Sequence, residues 1–181
     1  MTTGTLFSLT LNTDADEQIG QTHVERVAAA AMTLPSGVIT QVRICFEAGS
    51  TEQFTITNAY VGHRAGVGDA YDFSTTPVQL LFSGSESVTI SAGTTQWSDW
   101  VAFAYNKTSD MLIAFYFGGG TWADMVRYVT GLGANYDHFN KAANDAATVD
   151  KTGYGTSSGV FTIKAVEYMT ADGNTGFFPF F

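Results

Sequence analysis

Between Val38 and Phe117 six short segments follow one another, VITQVRICFE, QFTITNAYV, VQLLFS, ESVTI, TQWSDWVAFA and MLIAFYF, parted by Gly, Ser and Thr and almost without charge. Their recurrence at roughly 8 to 15 residues is the spacing of an antiparallel sandwich. Within them apolar and polar residues alternate with period two. Val42, Ile44 and Phe46 alternate with Gln41, Arg43 and Cys45, Phe54 and Ile56 with Thr55 and Thr57, and Val88 and Ile90 with Ser87 and Thr89. Phe161 and Ile163 repeat the pattern against Thr162 and Lys164. Strands of this kind turn one face to a core and one to water. Met111 to Phe117 is apolar at every position, as in a central strand covered on both faces, and is bounded by Asp110 and by Gly118 to Gly120. The expected fold is all-β: a two-sheet antiparallel β-sandwich, jelly-roll-like, with Ile44, Phe46, Phe54, Ile56, Val88, Ile90, Val101, Phe103, Ile113, Phe115 and Ile163 facing inward.

The 181 residues fit a single domain spanning 1–181, long enough to bury about 70% of its unfolded surface. The single Cys45 lies in a strand pattern and is expected to be buried as a small hydrophobe. Residues 22–34 read two ways. Thr22 and Glu25 form a capping box followed by alanines and closed by Pro35, which is a short helix locally. Sandwiches also open with a strand in this place. Residues 118–158 mix Gly, Asn, Asp and aromatics without sustained alternation and are expected to form a long irregular insertion. The tail 176–181 carries Phe177, Phe178, Phe180 and Phe181 around Pro179. Four such side chains left in water would invite aggregation, so the tail is expected to fold over the sandwich or to dock on a neighbouring subunit as an assembly device.

Eight basic residues against 17 acidic ones give a formal charge of −9. The cations are scattered singly, which argues against nucleic acid and against an anionic membrane surface. No apolar run reaches the length of a membrane span. The opening MTTGTLFSLTLNTDADE has neither a positive region nor a small-residue cleavage site. A secretory leader is therefore not expected, and the product should be soluble, either intracellular or released by lysis.

Candidate chemistry is sparse. His23, His63 and His138 lie on separate segments without zinc-ligand spacing, and no serine elbow is present. Neither a catalytic group nor a cofactor is expected. Asp69 and Asp72 in GDAYD could contribute half of a calcium site, although two carboxylates in a solvated turn are unspecific. Trp122, Asp124, Tyr128, Asn135 and Tyr136 bring aromatic faces and hydroxyl-binding groups into one segment. That combination is what sugar binding uses, and it also suits rings that plug the end of a sandwich.

Phe54 to Gly62 (FTITNAYVG) and the following TPVQLLFSGSESVTISAGTTQWSDWVAFAYNKTSDMLIAFYFGG resemble the β-sandwich module that precedes the catalytic domain of secreted bacterial GDSL-type (SGNH) esterases. The resemblance rests on Thr57 to Tyr60, Leu81 to Gly84, Val88 to Gly93, Ser98 to Val101 and Ser109 to Ile113, about a third of the chain. It implies that Asn58 ends a strand at a turn. The AYVGH and GDAYDF motifs are also similar to sandwich modules of tailed-phage and prophage structural proteins. The resemblance implies a binding or assembly role and carries over no active site. Two functions are expected from it: a non-enzymatic structural protein of a tailed-phage virion, as head decoration or tail fibre or spike component, or alternatively a carbohydrate-binding module. The implied partners are further copies of the chain, other virion proteins and a host cell-surface glycan.

Overall fold

The computed structural model describes residues 1–17, 19–120 and 122–171. The phenylalanine tail, with the assembly role expected of Phe177, Phe178, Phe180 and Phe181, lies outside the described residues. The strands run in the order β1 (Thr2–Ser8), β2 (Thr13–Ala15), β3 (Thr22–Val27), β4 (Ile39–Glu47), β5 (Phe54–His63), β6 (Val78–Leu80), β7 (Val88–Ile90), β8 (Thr95–Trp97), β9 (Val101–Ala102), β10 (Met111–Gly120), β11 (Val126–Val129), β12 (Tyr136–Lys141), β13 (Gly155–Ser158), β14 (Val160–Phe161) and β15 (Ile163–Thr170). A seven-stranded sheet has the order β13-β12-β3-β10-β5-β6, with β7 also on β5, and a five-stranded sheet has the order β1-β15-β4-β8, with β9 also on β4. A small sheet, β14-β11-β2, completes the set. All pairings among these strands are antiparallel. The fold is an all-β sandwich, as the alternation requires.

The main core takes Val42, Ile44 and Phe46 from β4 and Phe54, Ile56, Ile113 and Phe115 from β5 and β10. Phe46 meets Phe115 edge to face across the sheets, with ring centroids 5.6 Å apart. Every residue expected to face inward is buried except Val88, which is half-buried and packs on the same cluster.

β10 explains the apolar run. Its odd positions Met111, Ile113, Phe115 and Phe117 enter the main core. Leu112 and Ala114 on the other face join Val24, Phe73, Phe139, Ala146 and Tyr154 in a second cluster. The strand continues three residues past Phe117, with bulges against β5. A Cβ at Gly118 would lie 1.8 Å from Thr57 Oγ1, so glycine there permits the close approach.

Residues 22–34 resolve as strand: β3 followed by a short 3-10 turn at Ala29–Ala31. Pairing between β10 and β12 overrides the local helix signal. Thr22 Oγ1 donates to the Ala143 carbonyl at 2.6 Å and Glu25 turns to His138, so the two residues cap nothing. The stretch 118–158, expected to be irregular, carries β11, β12 and β13. Alternation fails in β12 because His138 and Phe139, on opposite faces, are both buried. Phe161 to Lys164 is likewise not one strand. Thr162 sits at φ 66° and separates β14 from β15. Asn58 does not close a turn, since β5 runs through it to His63, and its Nδ2 donates to Asn144 Oδ1 at 3.2 Å.

Ile113→Ala should destabilise the fold by about 2–5 kcal/mol in urea unfolding, as a buried truncation on a central strand does. Val67→Ala, at a side chain 87% exposed, should stay within about 0.5 kcal/mol of the parent. Equal effects of the two would place Ile113 outside the core.

Candidate functional site

The residues expected to bind a ligand follow two neighbouring stretches. Trp122 and Asp124 occupy the turn from β10 to β11, both at positive φ (76° and 51°), which costs on the order of 1–2 kcal/mol each. The turn is held to the preceding segment: Glu17 N–H donates to the Trp122 carbonyl at 3.0 Å, and Asp124 N–H to Asp16 Oδ1 at 3.0 Å. Trp122 is half exposed. Tyr128 lies on β11 and stacks on Phe161 with centroids 5.1 Å apart and planes at 11°, so one of its faces is already covered. Asn135 and Tyr136 stand where β12 begins. The Asn135 carbonyl accepts Ala28 N–H at 2.8 Å, and the Tyr136 ring packs on Phe7. Of the five, Trp122 is the most open aromatic face.

At Asp69 and Asp72, where the sequence allows half of a calcium site, the structure shows a carboxylate engaged with backbone. Asp72 is buried, with Oδ2 accepting the Asp69 N–H at 2.7 Å and Oδ1 the Lys151 N–H at 2.8 Å. Oδ2 thus closes a turn within its own loop, and Oδ1 clamps that loop to the one that carries Lys151. Lys151 is buried beside this clamp, with its Nζ 4.0 Å from the Phe73 ring centroid and donating to the Thr148 carbonyl. Burial pulls the Lys151 ammonium down to about 8, against the opposing pull of Asp145 and Asp72.

The outer face of the five-stranded sheet holds a feature assembled from three strands. Arg43 places its guanidinium 4.6 Å from the ring centre of Trp97 and 4.7 Å from that of Trp100. Its Nη2 donates to Glu167 Oε2 at 2.7 Å. The register aligns these groups, because Cys45 pairs with both Trp97 and Ala165, and Arg43 with Glu167. Beside them is a depression of about 250 Å³. Cys45 and Ala165 form its small-residue floor, Trp97 a wall, and Thr5, Ser8, Lys164 and Glu167 a polar rim. The thiol of Cys45 is pushed up to about 11 by burial, so it is an inert floor group. The volume falls below the roughly 300–1,000 Å³ of small-molecule pockets, which suits recognition of one ring or group at a surface.

Inside the molecule, at the junction of the seven-stranded and small sheets, four polar side chains meet. His138 Nδ1 lies 2.6 Å from Glu25 Oε1, and His138 Nε2 lies 3.4 Å from His23 Nδ1. Glu25 Oε1 also accepts the Phe161 N–H at 3.2 Å. His23 Nε2 is 4.0 Å from Glu17 Oε1. His23, Glu25 and His138 are buried, and only Glu17 reaches towards solvent, with 11% of its side chain exposed. His23 stacks on Phe115 at 5.6 Å. Burial, reinforced by His138, holds the His23 imidazole well below the usual histidine range. Burial raises the Glu25 carboxyl, against the opposing effect of His138 and the Phe161 N–H. Sequence spacing missed this cluster because His23 and His138 are brought together by the pairing of β12 with β3. The third histidine, His63, stands apart, stacked on Phe103 and Tyr105 and accepting the Asn106 N–H at 2.8 Å.

No protein-family model matches this chain, and no curated protein matches it either. What stands is the class of the fold, an antiparallel all-β sandwich. None of the described helices is long and apolar enough to cross a membrane.

The lysine gives a pH test. Between about pH 8 and the free-lysine value of 10.5 the folded state holds Lys151 neutral while the unfolded chain still binds its proton. Unfolding then takes up a proton, and this contribution to stability rises with pH. Stability relative to Lys151→Met should therefore increase as pH is raised through that window. A flat difference in paired melting curves would show that Lys151 is solvated.

Proposed function

We propose that this chain is a non-enzymatic structural protein of a tailed-phage virion that acts through subunit assembly and surface binding, and that it takes carbohydrate on the outer face of its five-stranded sheet. The observation that carries the binding half is the depression walled by Trp97 and rimmed by Lys164, Glu167, Thr5 and Ser8. An indole face packs against the C–H face of a pyranose, and a rim of charges and hydroxyls takes its hydroxyls. The non-enzymatic half is supported by burial: His23, Glu25 and His138 are sealed where a substrate would have to enter the core. The virion half rests on the resemblance of the Asn58–His63 and Gly68–Phe73 motifs to phage structural modules. Its partners would be other copies of the chain, other virion proteins and a host-surface glycan.

A second carbohydrate-binding placement is the half-exposed Trp122 with Asp124, on its strained turn. Binding to whole host cells and to a glycan array separates the two. Trp97→Ala should abolish the signal with an unchanged circular dichroism spectrum, while Trp122→Ala together with Tyr136→Ala should retain it. The opposite pattern would move the site to the turn, and no signal from the parent protein would remove the carbohydrate reading. Mass spectrometry of purified phage particles tests the virion reading separately, and absence of the chain from them would reject it.

A further inference from the structure

We propose that Glu17, His23 and His138 form a binding site for a divalent transition cation of the zinc class, with Glu25 as the carboxylate behind His138. One ligand atom from each of the three residues lies within 4.8 Å of the others. The 3.4 Å between His23 Nδ1 and His138 Nε2 is longer than the roughly 2.7–3.2 Å of a good hydrogen bond from N–H. It matches the edge of a tetrahedron whose metal–nitrogen bonds are about 2.0–2.1 Å.

The hydrogen bond behind His138 agrees with this geometry. Glu25 Oε1, 2.6 Å from His138 Nδ1, holds the proton on that nitrogen and leaves the Nε2 lone pair facing His23. A carboxylate behind a ligating histidine is the usual outer support of a zinc site. A second sign is unsatisfied polarity: Glu25 Oε2 is buried without a hydrogen-bond partner beside the two imidazoles. Among the described residues no lysine or arginine forms an ion pair with Glu25, whose ionic contact is with His138. A dication beside the two imidazoles would offset the charge that Glu17 and Glu25 bring to the cluster.

The donor set also selects the metal. Two imidazole nitrogens and one carboxylate suit zinc, copper, nickel or ferrous iron, whereas calcium and magnesium take oxygen ligands. Glu17, the partly exposed member, lies on the connection between β2 and β3 and marks the side of entry. A bound ion would cross-link β3, β12 and this connection, so its role is structural.

The untagged chain, unfolded in urea with chelator and refolded with Co2+, should show the intense visible bands of four-coordinate cobalt at saturation. Zn2+ should displace them, and the melting temperature should rise with either metal. Glu25→Gln should weaken affinity by roughly 10–100-fold, the range for losing a support of this kind. Glu17→Gln, at the solvent edge where folding is least at risk, should weaken it as well, and His138→Gln should abolish it. His63→Gln should change nothing. Only the pale bands of six-coordinate cobalt, no saturable binding, or equal affinity in the parent and Glu17→Gln would overturn the site and leave a metal-free histidine pair in the core.

Discussion

The structure depends on covering β10 from both sides. A sandwich strand ordinarily buries one face, and Leu112 and Ala114 would then stand in water. Here the connections after β5 and after β12 fold over the outer face of the seven-stranded sheet and bring Phe73, Ala146 and Tyr154 onto it. They are tied to each other as well as to the sheet: Phe73 N–H donates to the Val149 carbonyl at 3.0 Å, and Lys151 N–H to Asp72 Oδ1 at 2.8 Å. The clamp satisfies backbone groups that the loops bury, which lets irregular chain lie over an apolar surface without leaving donors unpaired. Lys151 follows from the same arrangement. Its stem lies under the loops, and its ammonium is caught between Phe73 and the Thr148 carbonyl.

This arrangement separates what can be read in the sequence from what cannot. Val42, Ile44 and Phe46, or Phe54 and Ile56, show their inward direction because the opposite positions of the same strand are polar. Met111 to Phe117 was legible as doubly covered, but nothing local says that loops, rather than a third layer, do the covering. β3 and β12 were hidden for a different reason. Their buried positions include Thr22, His23, Glu25 and His138, which look solvent-facing to any hydrophobic pattern, and Thr22 with Glu25 imitates a helix start. Both candidate features share this difficulty. Arg43, Trp97 and Glu167 come from three strands and meet only through register. His23 and His138 are 115 positions apart and share no spacing that a motif could record. Thr162 was misleading in the other direction, since a β-branched residue fits the strand pattern and yet takes a left-handed conformation between two sheets.

The polar cluster also bears on how the fold chooses its register. A slip of one residue between β12 and β3 would exchange His138 and Phe139, turning the imidazole towards Leu112 and Ala114 and the phenyl ring towards Glu25. An apolar strand with two buried faces would tolerate such a slip better than this one does. The wrong register would leave Glu25 in the core without His138, and an unpaired buried carboxylate is far costlier than a misplaced phenyl ring. The pair thus works against the alternative even where its net contribution to the correct fold is small. Placing it in the interior also leaves the outer face of the five-stranded sheet free to vary. Trp97, Arg43 and Glu167 can change while the interior pairing of β12 and β3 stays as it is.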